Sequence, residues 1–155
     1  MIRITLRRFA VALSSAAMAS CAPIVTATVT AAPTDPAQVA ACDFGRQYTT
    51  FDFNNYDDYD HRITDRATGA FRDQFLGSAA DRRNRTVSSH TVTEAKTVEC
   101  RTETGDAEHA EIIVTVDQST RSDATLGLPQ PIRSNLRVHL DNVDGHWLAS
   151  RVDTL

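Results

Sequence analysis

Asp57-Asp58-Tyr59-Asp60-His61 is the densest group of residues able to move protons. A buried carboxylate beside a histidine and a tyrosine can have its pKa shifted towards neutrality, the condition for general acid-base work. The competing reading is structural, because acids in the first turn of a helix stabilise its positive end and stay solvated. Asp52 and Asn54 imitate the opening of a calcium loop, but Tyr56 and Asp57 then stand where an acid or amide and the glycine belong. His109 and Glu111 have the H-x-E spacing of a zinc hydrolytic site, yet no paired cysteines follow and both fall at a strand start. His90, His139 and His146 are scattered and read as surface histidines. No G-x-S-x-G elbow and no phosphate loop occurs. These residues supply no catalytic set, no metal site and no cofactor motif.

The elements that must carry them follow from periodicity. Thr34-Asp35-Pro36 is a helix start, and Ala40, Phe44, Tyr48 and Phe51 then form one apolar stripe. Asn54-Asn55 breaks that helix, and Asp57 to Ala67 reads as a short second one carrying Tyr59 and Ile63. Thr68 caps a third, with Phe71, Phe75 and Ala79 on one face and Asp81 to Arg85 as a charged end. The period then drops to two. Thr91 to Arg101, with Val98 and Cys100 alternating with charged neighbours, predicts a half-buried strand. Glu111 to Ser119 places Ile112, Val114 and Val116 on one face; Leu136, Val138 and Leu140 repeat the pattern. Asp144-Gly145 is a hairpin signal between this strand and His146 to Asp153. Helices followed by four strands define an α+β domain with helices on one face of a curled antiparallel sheet. Leu126 and Leu128 in the connecting loop could touch a partner or lipid, although single exposed leucines are common. Trp147 reads as a packing residue, with Phe44, Phe71 and Phe75 as its expected neighbours.

At 155 residues and 41% apolar content the chain suits one small domain, here residues 35–155, behind a segment at 1–34. That segment holds Arg3, Arg7 and Arg8 and no acid, and from Phe9 to Thr34 no charge interrupts it. This is the pattern of an export signal or membrane anchor, so the body is expected outside the cytoplasm. Three outcomes fit. Met18-Ala19-Ser20-Cys21 can act as a lipobox with Cys21 acylated; Ile24, Val25 and Val29 can extend an uncleaved anchor; or cleavage near Thr30-Ala31-Ala32 can free the domain. The remainder carries 13 basic against 20 acidic residues, a poor fit for nucleic acid. In an oxidising compartment Cys42 and Cys100 remain as an even pair if Cys21 is lipidated or removed, and a disulfide is the economical reading. Cys42 lies about 200° around the helix from Ala40 and Phe44, however, so the pairing requires a helix flanked on two sides.

Five stretches in order carry a family resemblance: Thr49-Thr50-Phe51-Asp52-Phe53, Thr68-Gly69-Ala70-Phe71 with Phe75, Val116-Asp117-Gln118-Ser119, Arg133 to Leu140, and Val143-Asp144-Gly145-His146-Trp147-Leu148. Over about residues 37–155 the sequence resembles the Mce-associated (mammalian-cell-entry-associated) proteins of actinobacteria. The resemblance implies a nuclear-transport-factor-two-like cone with three helices against a curved sheet. It also implies tethering outside the cytoplasmic membrane and a non-catalytic role beside the subunits of an Mce lipid-import complex. That family carries no agreed catalytic residues, so none is transferred. It usually has a longer, more apolar membrane helix than the leader found here. The alternative expectation is a small-molecule binder or acid-base enzyme of the ketosteroid-isomerase-like cone class, with Tyr48, Tyr56, Asp60 and His61 converging in an enclosed pocket. A cone plugged by Phe and Val would favour the accessory role.

Overall fold

The computed structural model describes residues 35–155. Helix α1 (Pro36–Tyr48) begins where the Asp35 carboxylate accepts the Ala37 N–H at 3.0 Å, with proline in the first turn where no amide donor is needed. It ends at Tyr48, three residues before the apolar stripe does. The Thr49 hydroxyl donates to the Gly45 carbonyl at 2.8 Å, and the β-branched pair Thr49-Thr50 leads the chain out of the helix. Phe51 and Asp52 then form a two-residue strand, β1, opposite Thr93 and Val92. The sheet therefore has five strands, one more than the sequence pattern predicts.

A single turn of 3-10 helix (Phe53–Asn55) leads into α2 (Tyr56–Thr64), which buries Tyr56, Tyr59 and Ile63. The expected third helix is two helices, α3 (Gly69–Gly77) and α4 (Ala79–Ser88), which gives four α-helices among the described residues. They break at Ser78 (φ −105°, ψ 6°), whose hydroxyl bonds back to the Gln74 carbonyl at 2.9 Å.

Strands β2 (Val92–Gly105), β3 (His109–Arg121), β4 (Gln130–Val143) and β5 (His146–Thr154) complete an antiparallel meander in the order β1-β2-β3-β4-β5. Bulges in β2 and across β4 and β5 curl it. The β4–β5 turn is the expected Asp144-Gly145, with φ of 52° and 85°. One face of the sheet presents Ile112, Val114, Val116, Leu136, Val138, Leu140 and Ala149, all buried, and α1 lies on it through Ala41, Phe44 and Gly45. Trp147, half-buried, packs against this core. The α2–α3 link covers part of the β5 edge, where Ala149 bonds to Arg66 and Thr68 at 2.8 and 2.9 Å.

Candidate functional site

Between the helices and the inner face of the sheet, aromatic rings pack against one another. Phe44 stacks on Tyr48 at 5.4 Å between centroids and meets the edge of Phe71 at 5.6 Å. Phe71 continues to Phe75, Phe75 to Tyr59, and Tyr59 to both Tyr56 and Phe51, with successive centroids 5.0 to 5.9 Å apart. Such contacts exclude water and add about 0.5–1.5 kcal/mol per pair beyond burial.

The four pocket candidates are divided by this packing. Tyr48 and Tyr56 belong to the aromatic cluster, Asp60 lies at its rim, and His61 on the same helix faces solvent. They do not converge in an enclosed space. Asp60 is engaged by Arg82, a residue the sequence did not single out. The Arg82 guanidinium lies 3.5 Å above the Phe75 ring, donates to Asp60 at 3.0 Å and to the Phe75 carbonyl at 2.6 Å. Tyr59 donates its hydroxyl to the Tyr48 carbonyl at 3.1 Å. Burial pushes the pKa of Tyr59 well above its ordinary value and raises that of Tyr48, with the charge of Arg82 opposing. Both phenols are neutral at physiological pH, and the Tyr59 donor is spent on backbone.

Cys42 and Cys100 are joined in a disulfide, with Cα atoms 5.9 Å apart. The flanking that the sequence geometry required is present: Phe44 and Gly45 of α1 sit over the sheet face, while Gln38 and Cys42 meet β2, Gln38 donating to the Cys100 carbonyl at 2.6 Å. Cys21 and the segment 1–34 lie outside the described residues. Among the described residues no helix is long and apolar enough to cross a membrane.

The opposite face of the sheet is polar and tied across strands. Arg133 makes a two-point contact with Asp117 at 2.6 and 2.9 Å, Arg137 reaches Glu103 at 2.9 Å, and His139 stands between Glu111 at 3.4 Å and Asp153 at 3.0 Å. At one end a groove of about 460 Å³ is lined by His109, Glu111, His139, Asp141 and Arg151 among others. The H-x-E pair therefore faces outward. His109 is spent on Asp141 at 3.0 Å, and among the described residues no three His, Cys, Asp or Glu side chains gather as a metal site.

A curled antiparallel meander backed by helices is the architecture of solved NTF2-like domains. The chain superposes on an Ntf2-like protein involved in plasmid conjugation with a TM-score of 0.56 at 13% identity, covering 77% of this chain and 47% of that one. It thus spans about half the length of that relative. CagV, a VirB8 homolog of the T4SS of Helicobacter pylori, gives 0.58 at 10% identity over 76% of this chain and 94% of its own. TraH, a putative transfer protein of the Gram-positive conjugative plasmid pIP501, gives 0.57 at 8% identity over 81% and 96%. Likeness at these identities establishes a shared fold. No curated protein matches the sequence. The chain belongs to the family described as Uncharacterized protein Rv1363c/MT1408-like, whose model matches residues 9–155.

Proposed function

We propose that this protein is a non-catalytic accessory of an Mce-type lipid-import complex, its domain held at the outer face of the cytoplasmic membrane by the N-terminal segment, as a single-pass anchor or through a lipid on Cys21. The observation that carries the reading is the aromatic filling of the cone, which occupies the space an acid-base enzyme of this fold would need for substrate. The division of Tyr48, Tyr56, Asp60 and His61 between core, rim and solvent supports the same view against the ketosteroid-isomerase-like alternative. An Ntf2-like protein involved in plasmid conjugation and CagV, a VirB8 homolog of a T4SS, share this fold, which lends the accessory reading further support. The partners are the Mce subunits, and the uncharged leader behind three arginines supports delivery of the acidic body across the membrane.

The experiment is affinity purification of the full-length chain from crosslinked, detergent-solubilised membranes, paired with deletion of its gene. Mce subunits should co-purify, and their abundance and the uptake of sterol or fatty acid should fall on deletion. Unchanged subunit levels and unchanged uptake would sink the proposal, as would a turnover abolished by Asp60→Asn.

A further inference from the structure

α4 is held in place differently from the other helices. α1 buries Ala41 and Phe44, α2 buries Tyr59 and Ile63, and α3 buries Phe75, whereas no residue of α4 is buried. Its ten residues include the weaker helix formers Asn84, Thr86, Val87 and Ser88, and Ser78, which precedes it, makes no capping hydrogen bond to it. A helix this short is marginal in water on propensity alone. Its polar contacts must therefore hold it, and they fall into two groups. The ends are pinned. Ser78 closes α3 as well, its hydroxyl donating to the Gln74 carbonyl at 2.9 Å, and beyond the C-terminus the Ser89 carbonyl accepts the Asp123 amide at 3.0 Å while the His90 ring meets the Asp123 carboxylate at 2.8 Å. The middle is latched to α2 by two arginines. Arg82 donates to Asp60 at 3.0 Å with its guanidinium 3.5 Å above the Phe75 ring, and Arg83 pairs with Asp57. Arg82 is the stronger latch, because its side chain is 18% and that of Asp60 23% exposed, whereas the Arg83 pair is open to solvent screening.

We propose that α4 is a latched strap over the aromatic layer, its middle lifting as one unit when Arg82 and Arg83 release α2 while the ends at Ser78 and at Ser89 and His90 stay fixed. Regions with few buried contacts open locally at a fraction of the global unfolding free energy, and α4 is such a region. Lifting takes the Arg82 guanidinium off Phe75, which is 5% exposed when the strap is shut and lies 5.9 Å from Tyr59 between ring centroids. Phe75 is bared without any change in the sheet, since the β3 and β4 side chains of the core make their contacts with α1 and with each other. Access to the aromatic layer from this side is set by two ion pairs and one stacked guanidinium.

The test is native-state hydrogen exchange on the full-length chain in detergent micelles, read residue by residue at increasing low concentrations of urea. The amides of residues 82–88 should exchange together, nearly independently of urea, and about a hundredfold faster than those of residues 112–116 in β3, which wait for global unfolding. Asp60→Asn should speed exchange across residues 82–88 by about tenfold, and Arg83→Gln, at the exposed pair, by about twofold. Three results would each overturn the proposal: α4 amides that share the urea slope of β3, rates graded inwards from the ends of α4 as in simple fraying, or rates that Asp60→Asn leaves unmoved. The first two are read on the native sequence, so they stand even where Asp60→Asn fails to fold. Exchange is a property of the chain itself, so this result is separate from co-purification with Mce subunits.

Discussion

Arg82 shows why residue type and spacing read poorly for chemistry here. Asp60 sits in the acid-rich run that looked able to move protons, but its carboxylate is held by a guanidinium from another helix that also covers an aromatic ring. Nothing in the sequence links positions 22 residues apart across two helix ends. Asp57 is likewise taken by Arg83 at the surface. The pKa of His109 is raised from 6.5, chiefly by its hydrogen bond to Asp141. A raised folded value means that the bond stabilises the fold when the ring is charged. The contribution is fully present below the unfolded pKa and disappears as pH rises through the folded one. The urea midpoint of the native chain should therefore exceed that of His109→Gln at about pH 5.5, with the gap closing by about pH 8. Both groups are exposed and screened, so the gap is small. A difference that stays flat, or grows with pH, would show that the pair does not act this way.

At the scale of elements, the decisive position is Gly45, where α1 crosses β3. A β-carbon there would come within 2.5 Å of Val114 Cγ1, a side chain fully buried in the sheet. Ala is the better helix former by about 1 kcal/mol, whereas overpacking a closed core costs about 1–3 kcal/mol. Gly45→Ala should thus lower stability by up to about 2 kcal/mol in urea denaturation, and a stabilised variant would mean that helix and sheet are free to separate. The same crossing explains what was legible. Long strands announced themselves because one face is buried and the period of two survives over Ile112, Val114 and Val116 and again over Leu136, Val138 and Leu140. The end of α1 did not, because Phe51 continues the helical stripe in spacing while its ring reaches Tyr56 and Tyr59 from a strand. A two-residue strand has no period to detect. The Gly77-Ser78 break was hidden because apolar residues continue at helical spacing on both sides of it.

For the whole molecule, which side chains meet was decided by topology. Tyr56, Asp60 and His61 are close in sequence, yet His61 turns outward half a helical turn from Tyr59, which is buried. The disulfide is the feature read correctly from composition and confirmed by a placement that helical geometry alone left open. It joins residues 58 apart, so α2, α3, α4, β1 and the start of β2 lie within the closed loop. Loss of that constraint releases the largest part of the helical layer in the unfolded ensemble, an effect of about 4 kcal/mol in the chain-entropy model and commonly less when measured. The folded state has its own reasons to keep its shape, because Phe44, Gly45 and the β3 valines remain packed. Replacing Cys42 and Cys100 by Ala should therefore leave the circular dichroism spectrum unchanged at low temperature while lowering the unfolding free energy by about 2–4 kcal/mol. The native chain in reductant should follow the same curve as the double variant. Coincident urea midpoints with and without the bridge would mean that the α1–β2 contact alone fixes the helix, and the constraint would then be dispensable.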